Sequence, residues 1–290
     1  IYRKETPAGG FLLVNPDKWE YNDWNQRDKK LPLRGNLVTL KQIFRLTALP
    51  QGKPFSTRSF QEEFTMLLGS MTVLAAIFAV LTCALGHFSG AAIVFGTLGC
   101  FVGYWLGLFA IAFAVLWVSC ATVDISKPQE QDSKYFRRLI KLYIPAVESL
   151  LRMDVQLEGA EQLPKGGRFL LICNHLNILD PVLLLGCFPE AQLAFISKRE
   201  NADMFLIGKI MHRLMCQLIN RENDREALKT ILKCIQMIRE DQVSVAVFPE
   251  GYTSRDGKLH HFRSGVFKIA TKTQVPIVMC TVKNTQNIFH

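Results

Sequence analysis

The chain has 290 residues, of which 49% are hydrophobic and 20% charged, and it carries a formal net charge of +9. This length is sufficient for one sizeable domain and a smaller accessory region. The basic residues are scattered and do not alternate with aromatic residues, so nucleic-acid binding is not predicted. The eight cysteines include no C-x-x-C pair, which argues against disulfides and a cysteine-based metal site and favours a reducing compartment.

Residues 1–63 are polar, with scattered Pro and Gly and no clear periodicity. We interpret them as a loosely structured N-terminal region, and an interaction arm is the alternative. Because the chain begins with Ile and stops abruptly after a strand-like run, we expect a fragment whose last domain is truncated at its C-terminus.

Residues 64–123 contain no Asp, Glu, Lys or Arg. Two apolar stretches, 64–86 and 91–120, flank a turn-like Gly-His-Phe-Ser-Gly segment, and each exceeds the about 20 residues that cross a bilayer. The pattern predicts two transmembrane helices that form a hairpin with both flanks on one side. A buried helical pair in a soluble core is the alternative.

Basic residues on both sides of this hairpin place its flanks in the cytoplasm by the positive-inside rule. We therefore predict an integral membrane protein whose following domain is cytoplasmic. Small residues recur along the second stretch at intervals of three or four and predict close packing of the two helices; these are Gly96, Gly99, Gly103 and Gly107.

Residues 133–152 combine basic and apolar side chains at helical spacing. The pattern predicts a helix that lies on the membrane surface or, alternatively, packs on the domain that follows. The side chains that could share one broad apolar face are Phe136, Leu139, Ile140, Tyr143, Val147 and Leu150.

From residue 155 onward, short apolar runs alternate with helical patterns, which predicts an α/β domain over residues 124–290. Its sheet should be mixed but largely parallel, with helices on its flanks, and the N-terminal transmembrane hairpin should precede it. The predicted strands are 169–173, 193–197, 216–219, 244–248 and 276–282, and the helical patterns lie near 202–214, 224–240 and 262–273.

The first polar cluster, Asn-His-Leu-Asn-Ile-Leu-Asp-Pro, directly follows the strand predicted at 169–173. The carboxyl ends of strands are where α/β proteins usually place their sites. Asp180 stands five residues after His175 and could hold one ring nitrogen protonated, which would leave the other nitrogen free as a base. The motif itself contains no Ser or Cys nucleophile. By itself, this spacing also fits a structural histidine.

The second cluster, Phe-Pro-Glu-Gly-Tyr-Thr-Ser-Arg, starts at Phe248, the last residue of another predicted strand. Gly251 permits a tight turn with exposed N–H groups, and Thr253, Ser254 and Arg255 add donors that suit a phosphate monoester. A charged turn without a ligand is the alternative. Two further cations, Lys198 and Arg221, follow the ends of other predicted strands.

The ordered set of Asn-His-x4-Asp, Ile-x-Arg, Phe-Pro-Glu-Gly and Val-Pro-Ile-Val resembles the glycerolipid acyltransferase family, typified by 1-acylglycerol-3-phosphate acyltransferase. The resemblance covers about residues 135–290. It implies that His175 is the general base and Asp180 its orienting partner. It also implies that Arg221, Glu250 and Gly251, with Lys198, bind the glycerol phosphate of the acceptor.

The chain departs from the family at one point. The family commonly has Thr-Arg-Ser there, and the presence of Tyr252 and Thr253 changes that sequence here. The departure leaves the acceptor head group open, whereas the reaction is unaffected. The expected partners are membrane lipids, an acyl-CoA or acyl-carrier-protein donor and a lysophospholipid acceptor, with no bound cofactor or metal. A catalytically silent membrane scaffold is the alternative, and a soluble hydrolase would lack its nucleophile motif.

Overall fold

The computed structural model describes residues 55–56, 58–86, 90–254 and 259–288. Most of the predicted N-terminal region, the centre of the predicted turn at 87–89 and Arg255 lie outside the described residues. The region boundaries predicted at 63/64 and 123/124 therefore stay predictions.

Two long helices stand near the start of the described chain: α1 (Arg58–Leu85) and α2 (Ala91–Ala121). Within them, Leu68–Leu85 and Ala91–Ala121 have mean hydropathies of 2.2 and 2.1, and only 17% and 0% of their most apolar windows are buried. By length and composition, both helices could cross a membrane. Buried core helices would instead be covered, so the exposure favours the membrane interpretation over the soluble pair.

The two helices pack against each other. The ring centroids of Phe78 and Tyr104 lie 5.8 Å apart, and the hydroxyl of Tyr104 is 2.9 Å from Thr82 Oγ1. The small side chains of Ala75, Ala79 and Cys83 are buried at the contact. Close approach of the helices thus depends on small residues of α1.

The predicted packing role of the glycines of α2 is wrong for three of the four. A Cβ atom placed on Gly99, Gly103 or Gly107 would meet no described atom within 4 Å. These three residues recur every fourth position and so share one face of the helix, and that face is exposed. The spacing of the glycines correctly places them on one face of α2. It does not show whether that face packs against α1.

The α/β domain is built on a five-stranded sheet in the order β5-β4-β6-β3-β7, in which all neighbouring strands are parallel. A separate antiparallel pair joins β1 (Phe55–Ser56) to β2 (Gln156–Leu157). The prediction of an α/β domain with a largely parallel sheet is therefore confirmed, and the antiparallel pairing is confined to the separate pair of β1 and β2. The strands of the five-stranded sheet are β3 (Leu170–Cys173), β4 (Leu193–Lys198), β5 (Gln217–Ile219), β6 (Ser244–Val247) and β7 (Ile277–Cys280).

Helices cover both faces of this sheet, which explains why β3 and β6 are buried along their whole length. Alternate residues of the strands pack on α6 (Asp224–Arg239) and α7 (Lys268–Thr273). The intervening residues face the other way and pack on α4 (Asp180–Cys187). The start of α6 was predicted from its capping residue, Asn223, whose side chain accepts hydrogen bonds from the N–H groups of Arg225 and Glu226.

The predicted basic helix is α3 (Lys134–Leu150). Phe136 and Leu139 are buried against Cys120 at the end of α2 and against Leu214. Leu150, in contrast, is 81% exposed. Of the two predictions for α3, packing on the domain that follows thus describes the helix better than a position on the membrane surface.

Gly208 lies in α5 (Phe205–Arg213), and we expect its replacement by alanine to destabilise the domain strongly. An added Cβ would lie 2.1 Å from the backbone oxygen of Ala202, so the backbone itself would have to move. Overpacking of this kind typically costs about 1–3 kcal/mol, and more where backbone must shift. Thermal unfolding in detergent should show a clearly lower Tm. The control is Gly166→Ala, where no described atom lies within 4 Å of the added Cβ, and equal Tm values for both variants would contradict this account.

Candidate active site

The predicted site residues follow the carboxyl ends of neighbouring strands. His175 comes two residues after β3, and the segment Phe248–Gly251 follows β6, which pairs directly with β3. Lys198 is the last residue of β4, and Arg221 stands two residues after β5. Because these strands are parallel, all four segments meet at one edge of the sheet.

The imidazole of His175 is oriented by a buried carboxylate. Its Nδ1 lies 2.9 Å from Oδ2 of Asp180, whose side chain has no solvent exposure. The same oxygen accepts hydrogen bonds from the backbone N–H groups of Leu176 (2.7 Å) and Asn177 (2.8 Å). A carboxylate is an acceptor only, so Nδ1 carries the proton of the neutral ring and Nε2 is left as the basic atom.

The loop that carries His175 is anchored to the chain beyond β7. The side chain of Asn174 donates to the carbonyl of Val282 (3.0 Å) and accepts from its N–H (2.8 Å). The buried Asn177 amide donates to the carbonyl of Thr285 (2.8 Å) and accepts from the N–H of Leu179 (3.0 Å). Both asparagines therefore fix the backbone that positions the histidine and its carboxylate.

An aromatic ring supports the imidazole from the neighbouring strand. Phe248 stacks on His175 with a centroid separation of 4.2 Å and an interplanar angle of 22°. Phe195 of β4 stacks behind Phe248 at 5.9 Å. The His175 side chain keeps 17% of its surface exposed, and no described residue bonds to Nε2. The ring is thus held in place while one nitrogen stays accessible.

Glu250 joins the two loops of the site. Its side chain is 1% exposed, and its Oε1 accepts from the backbone N–H of His175 at 3.1 Å. Its Oε2 accepts from the hydroxyl of Ser254 (2.5 Å) and the N–H of His260 (3.0 Å). The carboxylate therefore contacts protein with both oxygens. The structure supports a positioning role for Glu250, and the predicted contact with the acceptor stays a prediction.

Arg221, one of the predicted cations, contacts the loop after β6 at Gly251. The guanidinium of Arg221 donates to the carbonyl oxygen of Gly251. Gly251 has a φ of +81°, a conformation that glycine adopts without strain. Arg221 and Gly251, predicted separately from two motifs, thus lie together beside the His175 loop.

The positions of the other predicted donors do not by themselves indicate a contact with the substrate. Lys198 is exposed at the same edge of the sheet, and Thr253 is half-buried. Ser254 is buried, and its N–H donates to the carbonyl of His175 at 2.7 Å while its hydroxyl faces Glu250. Arg255 lies outside the described residues. Their roles as substrate contacts stay predictions.

Two contributors had no role assigned from the sequence. Phe248 belongs to the second cluster, but nothing in its spacing shows that it faces His175. Arg263 lies twelve residues after Gly251, and an added Cβ at Gly251 would be 3.1 Å from its Nε. The only sequence signal for Phe248 was its place at the end of a buried strand. None pointed to Arg263, because it belongs to none of the motifs.

Three cysteines near the sheet, fully or partly buried, are unsuited to be nucleophiles. Burial raises the pKa of Cys173, two residues before His175, well above its usual range. Burial also raises the pKa of Cys187 to about 12 and that of Cys216 to about 11. These groups stay protonated thiols near neutral pH, and only the thiolate is a good nucleophile. The described histidine–carboxylate pair is therefore suited to activate a hydroxyl brought by the substrate.

A family model described as Acyltransferase matches residues 154–283. Over these residues, the match agrees with the acyltransferase family that the motifs resemble. The matched range includes His175, Asp180, Arg221 and Glu250.

Individual relatives cover the same part of the chain. A probable 1-acyl-sn-glycerol-3-phosphate acyltransferase from Mycoplasma pneumoniae is 32% identical over 159 residues, which is 53% of this chain and 57% of that protein. The human 1-acyl-sn-glycerol-3-phosphate acyltransferase alpha is 25% identical over 152 residues, 52% of this chain and 53% of its own. The chain thus spans about half the length of these curated relatives.

A solved structure also resembles the chain, at 25% sequence identity and a TM-score of 0.44. It is the 1-acyl-sn-glycerophosphate acyltransferase PlsC from Thermotoga maritima, with 61% of this chain and 69% of that chain covered.

Proposed function

We propose that this chain is a membrane-bound acyltransferase that moves a fatty acyl group from acyl-CoA or acyl-carrier protein to the free hydroxyl of a lysophospholipid. The proposed acceptor is 1-acylglycerol-3-phosphate, which would give phosphatidic acid. The observation that carries the proposal is the 2.9 Å contact between His175 Nδ1 and the buried Asp180, with Nε2 left accessible. The names of the relatives and the family of the domain support it.

The proposed reaction is direct transfer. Nε2 of His175 takes the proton of the acceptor hydroxyl, and the oxygen attacks the thioester carbonyl. The tetrahedral intermediate collapses to the new ester, and the imidazolium returns the proton to the departing thiolate. Asp180 stabilises the imidazolium that forms between these steps. As the sequence predicts, the proposed step requires no metal or bound cofactor.

The acceptor phosphate is proposed to bind beside Gly251. Arg221 is held there by the carbonyl of Gly251, and Gly251 adjoins Glu250, which bonds to the backbone of His175. A planar guanidinium suits phosphate oxygens in geometry and in charge. The anionic head group and the reactive hydroxyl would thus occupy adjacent parts of one site.

Contacts that the domain makes with α2 and with the residues just after it support a site held at the membrane. The rings of Trp117 on α2 and Phe205 on α5 lie 6.0 Å apart. The hydroxyl of Tyr143 donates to the carbonyl of Ala112, and the ammonium of Lys209 donates to the carbonyl of Val123. We propose that the hairpin anchors the domain where both acyl chains reside. The basic residues after α2 favour the cytoplasmic side.

A different lysolipid acceptor is the second candidate, favoured by the residues at 252 and 253. Tyr252 is exposed and its ring lies 5.4 Å from that of His260. An acylation assay decides between the two acceptors. It uses purified protein, labelled acyl-CoA, and a panel of lysophospholipids and glycerol 3-phosphate. Preferred acylation of 1-acylglycerol-3-phosphate supports the first acceptor. If none of the acceptors were acylated, the silent scaffold would be favoured instead.

Replacement of Glu250 by glutamine is expected to lower both stability and activity. The amide would offer one oxygen where three donors now share two carboxylate oxygens. Leaving a buried donor unsatisfied costs about 1–3 kcal/mol, and the freed backbone of His175 would lose its position. We expect a lower Tm and a fall in kcat of more than about tenfold. The exposed Glu158→Gln is the matched control, and unchanged kcat in Glu250→Gln would refute the positioning role.

A further inference from the structure

The helices α6 and α7 cover the face of the sheet that is remote from the hairpin. Their buried side chains, such as Ile235 and Ile269, pack with Leu170 on one face of the strands. The end of α2 packs instead with α3 and with Leu185 of α4, which covers the opposite face. The solvent-exposed side of α6 and α7 therefore lies on the far side of the sheet from α2.

This exposed side is basic. Between Glu226 and Glu240, α6 contains three cations and no acidic residue. The guanidinium of Arg239 donates to the carbonyl of Lys272 at 2.8 Å, which places the cations of α7 beside those of α6. All of these cations are exposed except Lys233, which is half-buried. We call this set the basic surface, and its members are Arg225, Lys229, Lys233, Arg239, Lys268 and Lys272.

The charges of the basic surface are not neutralised within the part of the chain that the structure describes. None of its six cations forms a salt bridge with a described residue. The nearby Glu226 is engaged elsewhere, because it contacts Arg199 at 3.7 Å and accepts from the side chain of Asn220 at 3.0 Å. A partner that complements this surface must therefore be acidic.

Apolar side chains lie among these cations. Leu228 and Leu232 are 48% and 55% exposed. Their spacing in the sequence places them on the same side of α6 as Arg225 and Lys229. Apolar contacts surrounded by charged groups are typical of a protein–protein interface with a polar rim. The surface thus fits a protein partner that offers both carboxylates and apolar side chains.

The length and the position of the surface narrow the choice of partner. The stretch of α6 from Arg225 to Arg239 is about 21 Å long at 1.5 Å per residue. Cations distributed over this length match an extended acidic segment such as a helix, whereas a phosphate group needs a compact site. The helix begins at Asp224, three residues after Arg221 at the active-site edge of the sheet. A protein bound along α6 would therefore lie next to the site.

We propose that the basic surface docks acyl-carrier protein, a small acidic protein, and so presents its acyl thioester to His175. This inference rests on the proposed function, in which the donor is acyl-CoA or acyl-carrier protein. Complementary charges speed association and favour the correct orientation of the partner. Acyl-CoA is a small molecule and can reach the site without contacting the exposed side of α6.

The test compares palmitoyl acyl-carrier protein with palmitoyl-CoA as donors for the full chain in mixed micelles. In Lys229→Glu/Lys233→Glu, the KM for the carrier-protein donor should rise about tenfold or more, because like charges then face each other. The KM for palmitoyl-CoA should stay within about twofold, because this donor does not contact the surface. Added salt should raise the wild-type KM for the carrier-protein donor and should affect the variant less.

The matched control is Lys127→Glu/Lys134→Glu, which reverses two exposed lysines between the end of α2 and the start of α3. It makes the same change in charge on the hairpin side of the domain and should leave the KM of both donors unchanged. The Tm of each variant is measured alongside. If the reversal variant is unstable, Lys229→Ala/Lys233→Ala takes its place, with a smaller expected rise in the same KM.

Several outcomes would overturn the proposal. One is an unchanged KM for the carrier-protein donor in the reversal variant, and another is an equal rise in the control. A rise for both donors that depends on the anionic lipid content of the micelles would show that the surface contacts lipid instead. Wild-type protein that accepts palmitoyl-CoA but not the carrier-protein donor would overturn the docking proposal alone. Wild-type protein that transfers no acyl group from either donor would overturn the proposed function itself.

Discussion

Replacing His175 by alanine is expected to reduce the rate of acyl transfer about a thousandfold while the protein stays in the membrane fraction. Loss of a positioned general base costs typically 10²–10⁴ in rate. No described residue stands ready to replace Nε2, because the neighbouring hydroxyl of Ser254 donates to Glu250. The hairpin formed by α1 and α2 is unaffected by the change. Initial rates with labelled acyl-CoA, together with membrane flotation, give both readouts.

His212→Ala is the matched control for this experiment. His212 lies in α5, outside the loops after β3 and β6, and burial lowers the pKa of its ring. We expect the control to keep the wild-type rate within a few-fold. If His175→Ala kept the wild-type rate, the general base would be another residue, and the assignment of His175 to that role would be wrong.

Replacing Asp180 by asparagine is expected to have the second-largest effect on activity, again about a thousandfold in kcat. The side chain keeps its shape, but the buried negative charge that stabilises the imidazolium and fixes the tautomer is lost. The acceptor KM should change little, because Asp180 is fully buried and contacts His175 and backbone N–H groups. Steady-state kinetics separate kcat from KM.

A double variant sharpens the test of Asp180. If the carboxylate acts through His175, then Asp180→Asn in a His175→Ala background should cause almost no further loss. The exposed Asp154→Asn serves as the control and should leave kcat unchanged. A large additional loss in the double variant, with an unchanged Tm, would show that Asp180 acts independently of His175.

The sheet could be predicted from the sequence because its strands are short apolar runs buried on both faces. All five predicted runs are strands, with ends shifted by one or two residues. The helix α4 (Asp180–Cys187) was not predicted, since its Leu-Leu-Leu run is apolar on every side and shows no helical periodicity. The pattern at 262–273 becomes a regular helix only from Lys268.

The site could be predicted only where its partners are close in sequence. His175 and Asp180 belong to one loop, so their spacing predicted a contact that the structure shows at 2.9 Å. The bond between Glu250 and the backbone of His175 spans 75 residues, and the convergence of Arg221 and Arg263 on Gly251 depends on three separate segments. Such contacts depend on strand order, which apolar patterns do not specify.

The sequence also did not show which acceptor the hydroxyl of Ser254 bonds to. Ser254 was predicted as a phosphate donor because hydroxyls suit phosphate oxygens. In the structure its hydroxyl donates to Glu250, and its N–H donates to the carbonyl of His175. The residue type therefore indicated a donor, while the fold selected its acceptor.

The most direct test of the account follows the fate of a labelled acyl group. Purified protein is mixed with labelled acyl-CoA and 1-acylglycerol-3-phosphate, and both lipid and protein are analysed during the first turnover. We predict that the label appears in phosphatidic acid without accumulating on the protein, and that His175→Ala suppresses its appearance. Label bound to the protein, or the absence of labelled lipid product in the wild type, would contradict direct transfer by the His175–Asp180 pair.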